Sequence, residues 1–283
     1  MWDVVLDAVL DTVKMLPFLF AAYLLIEYVE HRHSEGIEKA LAGGGRFGFV
    51  PAALLGLVPQ CGFSAMAANL YGSKVITLGT LLAVFITTSD EAVPLLVAMP
   101  EKWQALAALL AVKLAVGILA AVCVDFVFRK AIPASVRGGY SGRSEDVDCH
   151  EHEEADGILT AAVKHTLNIT VFILIFNLAL GFVVHWIGPD AIGGALAASG
   201  IWQPVLAGLI GLIPNCVSSV LLTQLFAAGQ LSFGGCLAGL CTAAGVGLAV
   251  LFRANKSIRQ NLFIVGLLYA VGVAAGVVFT LIG

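Results

Sequence analysis

Charge is the scarcest property of this sequence. Only 12% of its 283 residues are Asp, Glu, Lys or Arg, whereas 59% are hydrophobic and the mean hydropathy is +0.96. A soluble domain carries about 25% charged residues, so this chain has too few charges to cover a water-facing surface. Its 15 Lys and Arg residues form no basic patch, which argues against nucleic-acid binding. The composition excludes a cytosolic enzyme and predicts an all-α polytopic membrane protein.

The sequence also lacks the cysteine pattern of a disulfide-bonded protein. Five of the six cysteines lie inside apolar runs, and only Cys149 lies in a polar stretch. Thiols in a membrane interior are more often small apolar fillers than bridges. A secreted disulfide scaffold is therefore excluded.

Long apolar runs are what the sequence has instead. A spanning helix needs about 20 apolar residues, and six runs reach this length: 12–29, 75–98, 103–127, 160–184, 230–252 and 261–282. Two further runs, 47–72 and 202–227, are interrupted at Pro59 and Pro214. Proline removes a backbone donor, so each of these runs divides into two arms of about a dozen residues, too short to cross ~30 Å of hydrocarbon. We expect each pair of arms to form a re-entrant hairpin, which gives about ten membrane segments.

The cations predict an orientation. Lys and Arg cluster in three polar segments, 32–46, 129–143 and 253–259. Such cations concentrate in cytoplasmic loops, and hairpins that return to their own side place all three segments on one face. The sequence therefore predicts a bacterial cytoplasmic (inner) membrane protein with both termini outside.

The chain also repeats itself. Residues 56–64 match residues 211–219 at an offset of 155, with five of nine positions identical. The same offset pairs four further positions: Gly79 with Gly234, Ala83 with Ala238, Thr87 with Thr242 and Gly117 with Gly272. The first repeat is expected to begin outside and the second inside, so their topologies are opposite, as in many secondary transporters. We predict repeat 1 over 1–128, a cytoplasmic linker over 129–158 and repeat 2 over 159–283.

Opposed hairpin tips would meet near the middle of the bilayer. Irregular backbone at that depth must line a cavity or be buried in protein. The polar and thiol side chains at the two tips are therefore predicted to bind the substrate: Gln60, Cys61, Ser64, Asn215, Cys216 and Ser219. The alternative is structural, with the amides capping broken helix ends and the cysteines filling space.

Two acids in the run 75–98 form the second candidate feature. A charge at that depth costs roughly 2.5–3.5 kcal/mol, so Asp90 and Glu91 are functional candidates, although both acids could instead be hydrated at the outer interface. We assign the main ion-binding charge to Asp90 and a coupling proton to Glu91, and we expect Lys113 to be an internal counter-ion for one of them. Threonines near these positions complete the predicted site: Thr87, Thr88 and Thr242.

Mixed oxygen and sulfur ligands favour transition metals over Mg²⁺ and Ca²⁺. The predicted metal ligands of the core site are Asp90, Asn215, Cys61 and Cys216. An arsenite site of three thiolates, with Cys241 as the third, stays open. The linker tract 145–156 is a weaker second metal candidate through Cys149, His150 and His152, and its alternative is a solvated, disordered loop.

At these motifs the sequence resembles a bacterial family of ten-transmembrane heavy-metal exporters, also called arsenic-efflux-like proteins or manganese transporters. The resemblance covers nearly the whole chain. It rests on five segments and on the acid- and His-rich middle loop: 56–64, 76–81, 88–92, 211–216, 251–256 and 145–156. It implies membrane export of a metal or metalloid.

Together these features predict a secondary transporter, and not an enzyme, that exports a divalent transition metal by alternating access. Manganese(II) is the favoured ion, a proton is the candidate coupling ion, and no cofactor is expected. The partners are the metal ion and the lipid bilayer, and a homo-oligomer stays open. The rivals are an arsenite, metalloid or organic-anion exporter on the same scaffold, a passive channel, and a membrane-embedded lipid phosphatase-like enzyme. A lipid phosphatase needs Arg or Lys side chains that bind the transferring phosphoryl group, yet no arginine lies in an apolar span.

Overall fold

The fold is helical throughout the part of the chain that the computed structural model describes. That part comprises residues 48–58, 61–89, 92–128, 132–138 and 199–282, with scattered positions within 5–24 and 159–196. Its β-structure is one isolated antiparallel bridge between Thr77 and Gly138. Helices are numbered below along this described part.

Predicted repeat 1 contains five α-helices in the described ranges, and the start of the predicted linker contains a sixth, short one. They are α1 (Phe49–Gly56), α2 (Cys61–Gly72), α3 (Leu78–Thr87), α4 (Ala92–Val97), α5 (Trp103–Val122) and α6 (Ala134–Arg137). A single π-helical turn, Cys123–Val127, extends α5. The start of the predicted linker contacts repeat 1, because the Tyr71 hydroxyl donates a hydrogen bond to the Val136 carbonyl at 2.5 Å.

Repeat 2 contains α7 (Gln203–Gly211), α8 (Cys216–Ala227), α9 (Phe233–Thr242), α10 (Val246–Ala254) and α11 (Ile258–Ile282). Helices α2 and α8 each have 12 residues and begin 155 residues apart. Helices α3 and α9 each have 10 residues and keep the same offset. Their N-caps also correspond, since Thr77 accepts from the Thr80 N–H and Ser232 from the Gly235 N–H.

Glycine contacts recur at the same offset. A Cβ on Gly117 would lie 2.9 Å from Cγ2 of Thr87, and a Cβ on Gly272 would lie 2.7 Å from Cγ2 of Thr242. The glycines thus let α5 approach α3, and α11 approach α9, more closely than any side chain would allow. The same contact between a glycine and a threonine therefore occurs in both halves of the chain.

Four stretches of the described part are long and apolar enough to span a membrane. They are Leu78–Val97, Pro100–Val127, Phe233–Ala254 and Ile258–Ile282. They agree with four of the six predicted spans, and the other two, 12–29 and 160–184, lie mostly outside the described residues. The protein is a multi-pass membrane protein, and its re-entrant and inverted topology stays a prediction.

Two predicted spans are not continuous helices, which corrects the sequence-based expectation for 75–98 and 230–252. Helix α3 ends at Thr87 and α4 begins at Ala92; α9 ends at Thr242 and α10 begins at Val246. In the first span Pro94 has no N–H with which to continue a helix back through residue 90. In the second, Gly245 adopts a φ of +53°, a conformation that glycine reaches without steric cost. We call these interruptions the first and second breaks.

The hairpin arms pack across the repeats. Helix α1 packs on α3 and α7 on α9 within each repeat, whereas α2 packs on α10 and α8 on α4 of the other repeat. A Cβ on Gly247 would lie 2.8 Å from Cβ of Ser64, and a Cβ on Gly72 would lie 2.7 Å from Cβ of Ala254. This exchange of α2 and α8 places both hairpins beside the breaks.

Asp125 stabilises the start of the first broken span. Its Oδ2 accepts a hydrogen bond from the Thr77 hydroxyl at 2.5 Å, and its Oδ1 accepts one from the Gly79 N–H at 3.0 Å. The carboxylate thereby satisfies a free N–H at the start of α3 and complements the positive end of the helix dipole. Repeat 2 has Thr280 at this position, and its hydroxyl donates to the Gly276 carbonyl at 2.8 Å.

We expect Gly276→Ala to lower the free energy of unfolding by about 1–3 kcal/mol through overpacking. The new Cβ would lie 2.5 Å from the Gly234 carbonyl oxygen and 2.5 Å from Cβ of Ala238. Gly266→Ala on the same helix is the matched control, because nothing lies within 4 Å of its Cβ position. Thermal unfolding in detergent measures both, and equal melting temperatures would contradict this packing.

Candidate functional site

The two breaks meet at a buried lysine. Lys113 lies in the middle of the 20-residue helix α5 and is 0% exposed. Its Nζ donates to the Thr88 carbonyl at 2.5 Å, to the Ser89 hydroxyl at 2.8 Å and to the Leu240 carbonyl at 2.9 Å. Thr88 and Ser89 belong to the first break, and Leu240 lies in the last turn of α9. One ammonium group therefore joins the two repeats.

Helix geometry explains why a cation sits here. The middle of α5 is about 15 Å from either end of the helix, which is further than a lysine side chain can reach to water by snorkelling. The last turns of α3 and α9 leave carbonyl groups without helical partners, and these ends carry partial negative charge. The convergence of two helix C-termini makes a site that is selective for positive charge.

The acids predicted to pair with Lys113 are Asp90 and Glu91. Asp90 and Glu91 lie outside the described residues, although Asp90 directly follows Ser89 in the sequence. The sequence analysis missed Ser89 and the Leu240 carbonyl as polar groups of this centre. Ser89 could have been found from its place beside the two acids, but a backbone carbonyl has no signature in residue type.

The predicted threonines act on their own helices. The Thr87 hydroxyl donates to the Ala83 carbonyl, and the Thr88 hydroxyl donates to the Val84 carbonyl. The Thr242 hydroxyl reaches the Gly208 carbonyl of α7 at 2.8 Å, as well as carbonyls of its own helix. Each hydroxyl hydrogen is thus used on the backbone, and the oxygen keeps acceptor capacity. The Thr242 hydroxyl thereby joins α9 to α7, whereas the Thr87 hydroxyl bonds within α3.

The tip of the second hairpin is a capped helix start. Oδ1 of Asn215 accepts from the Val217 N–H at 3.1 Å and caps α8. The hydroxyls of Ser218 and Ser219 donate to the Asn215 and Cys216 carbonyls. All three side chains are buried. Asn215 therefore caps a helix, as the structural alternative expected. Binding of an ion by this tip stays a prediction.

The tip of the first hairpin is described in part. Gln60 lies outside the described residues, and of Cys61 the structure describes the backbone, which begins α2. Ser64, one turn further on, is fully buried and lies against Gly247 at the start of α10. The first hairpin therefore reaches the second break.

The predicted metal ligands stay a prediction. Within the described residues, no group of three or more His, Cys, Asp or Glu side chains could hold a metal ion. Cys216 and Cys241 are buried and reduced, and a three-thiolate site would also need the Cys61 side chain. The weaker linker candidates Cys149, His150 and His152 lie outside the described residues.

Comparison with known proteins identifies the family. The sequence model of the family described as “Putative, 10TM heavy-metal exporter” matches residues 2–152 and 138–245. The chain belongs to this family, which confirms the resemblance inferred from its motifs and supports metal efflux as the class of activity. Curated proteins and solved structures yielded no match.

Asn215 can be tested for capping and ligation separately. Asn215→Ala should lower the free energy of unfolding by about 0.5–2 kcal/mol, whereas Asn215→Asp should retain stability because Asp caps helices as well as Asn does. Ser232→Ala is the control, since it removes the cap of α9 (Ser232 accepts from the Gly235 N–H at 3.1 Å). If Asn215 only caps, both alanine variants bind Mn²⁺ as the wild type does in equilibrium dialysis. Weaker binding by Asn215→Ala alone would establish ligation.

Proposed function

We propose that this member of the heavy-metal exporter family exports a divalent transition metal, manganese(II) first, through a site between the two breaks. The observation that carries the proposal is the convergence of the Thr88 and Leu240 carbonyls on one buried positive charge. Carbonyl oxygens from two helix C-termini are suitable ligands for a hard or borderline cation. Metal efflux is the activity class of the family.

The remaining ligands of the proposed site come from the sequence. Asp90 follows the first break and supplies the anionic oxygen that a divalent ion needs. Gln60 and Asn215 supply amide oxygens, and Cys61 and Cys216 supply sulfur. Such a mixture suits manganese(II), iron(II) or zinc(II) better than Mg²⁺ or Ca²⁺.

Alternating access requires the repeats to enter the membrane from opposite faces, and the packing of α2 on α10 supports this. Ser64 lies against Gly247 and Gly72 against Ala254, so α2 and α10 run in the same direction. Helix α2 ends five residues before Thr77, the N-cap of α3, so α2 ends at the membrane face where α3 starts. Helix α10, which runs parallel to α2, ends at that face as well. Since α10 continues the span begun by α9, α9 starts at the opposite face.

The packing of α8 on α4 gives matching support. The Lys102 Nζ, just beyond α4, lies 5.6 Å from the centre of the Phe226 ring near the end of α8. Phe233 at the start of α9 makes an edge-to-face contact with Phe226. The ends of α4 and α8 thus share the face where α9 starts, as inverted repeats require.

Coupling to an ion gradient follows from the neighbouring acids. The sequence contains no nucleotide-binding motif to supply energy. Asp90 and Glu91 are adjacent in the sequence, and the repulsion between two neighbouring carboxylates favours a proton on one of them. Glu91 is therefore proposed to carry a proton in exchange for the metal.

Asp90→Asn should abolish metal resistance in a metal-sensitive bacterial host while expression stays at the wild-type level. The substitution removes the proposed charge on the ion and keeps nearly the same size. Glu101→Gln, an equal change of charge at an exposed acid in the turn before α5, is the matched control and should leave resistance intact. Undiminished resistance in Asp90→Asn would remove Asp90 from the mechanism.

The identity of the ion is tested by a resistance screen with Mn²⁺, Zn²⁺ and arsenite. Radiometal flux into inverted vesicles, with and without a pH gradient, measures the coupling. Saturable Mn²⁺ uptake that depends on the gradient is expected. Resistance to arsenite alone would favour the metalloid alternative, and linear, non-saturating flux would favour a passive channel.

A further inference from the structure

The position of Lys113 is asymmetric between the repeats. At the 155-residue offset its counterpart is Leu268 in α11, which is also fully buried. The same packing position is therefore filled by an apolar side chain in repeat 2, and close packing alone does not require a lysine. A buried charge in a membrane is costly, so its presence in one repeat only points to a functional role.

The ammonium occupies the type of oxygen cluster that the transported ion would use. Two of its acceptors are backbone carbonyls and the third is the Ser89 hydroxyl. Ser89 itself donates to the Thr87 carbonyl at 3.1 Å, so its oxygen is oriented to accept from the lysine. A divalent ion and an ammonium cannot share these oxygens, because like charges at that distance repel strongly.

We propose that the Lys113 ammonium is a tethered cation that competes with the metal for the oxygens of the breaks and displaces the metal during release. This inference rests on the proposed function. When the metal is bound, the ammonium leaves the carbonyls of Thr88 and Leu240. When the ammonium returns, the metal loses these ligands and leaves. The step moves a charge and requires no change in the protonation of the lysine.

The contact with Leu240 connects this exchange to the motion of the repeats. Lys113 belongs to α5 of repeat 1, whereas Leu240 belongs to α9 of repeat 2. The hydrogen bond between them forms in the state without metal and is lost when the metal binds. Occupancy of the site thereby changes a bond between the two repeats, which is the differential contact that a two-state transporter needs.

Lys113→Met tests the proposal with the purified full chain in lipid nanodiscs and with radiolabelled Mn²⁺ as the probe. We expect the variant to bind Mn²⁺ at least as tightly as the wild type. Release into a chelator should be slower by at least about tenfold, the change expected when one charge-assisted hydrogen bond is lost. Leu268→Met, the same residue at the counterpart position, is the matched control and should release Mn²⁺ at the wild-type rate.

The outcomes separate the inference from the proposed function. A wild-type chain that neither binds nor releases Mn²⁺ would overturn both. Wild-type binding with an unchanged release rate in Lys113→Met would overturn the inference alone, as would loss of binding in a variant that melts at the wild-type temperature. If Lys113→Met melts earlier, Lys113→Leu replaces it, because leucine is the buried residue at the counterpart position 268; slower release supports the proposal and an unchanged rate overturns it.

Discussion

A charge held in the middle of a bilayer must find its partners inside the protein, and those of Lys113 include the Thr88 and Leu240 carbonyls and the Ser89 hydroxyl. The partners exist because two spans are broken at the same depth, so that helix ends face the lysine instead of continuous helical surfaces. The breaks require α2 and α8 to pack beside them, since irregular backbone cannot face lipid. The central ammonium, the breaks and the exchanged arms therefore depend on one another.

Glycine residues let the long helices approach the broken helices closely, and this close contact stabilises the arrangement. Lipid offers no hydrophobic gain for packing one apolar helix on another, so association depends on close contact. The pairs Gly117 with Thr87 and Gly272 with Thr242 bring each long helix against a broken one. The threonine in each pair also ties its hydroxyl to a backbone carbonyl. The same contacts therefore recur at the 155-residue offset.

The two halves have diverged where chemistry is expected. Repeat 1 has the adjacent acids Asp90 and Glu91 together with Lys113, whereas repeat 2 has Gly245, Val246 and Leu268 at the same positions. The scaffold is thus shared and the charge is one-sided. Such a division leaves backbone carbonyls as the polar groups of repeat 2 at the breaks, whereas repeat 1 has charged side chains there.

Hydrophobic composition and the long apolar runs determined the membrane class and four of the spans from the sequence alone, and the motifs carried the resemblance to the family, because each is a property of residue type along the chain. Pro94 indicated a loosened helix in the first broken span, but the break after Thr242 was not predicted, since it has no proline and depends on Gly245. The meeting of Lys113 with the Leu240 carbonyl, and the exchange of α2 and α8, were decided only by the tertiary structure. These contacts join residues far apart in the chain, and a backbone carbonyl becomes a ligand through its position and not through the side chain it carries.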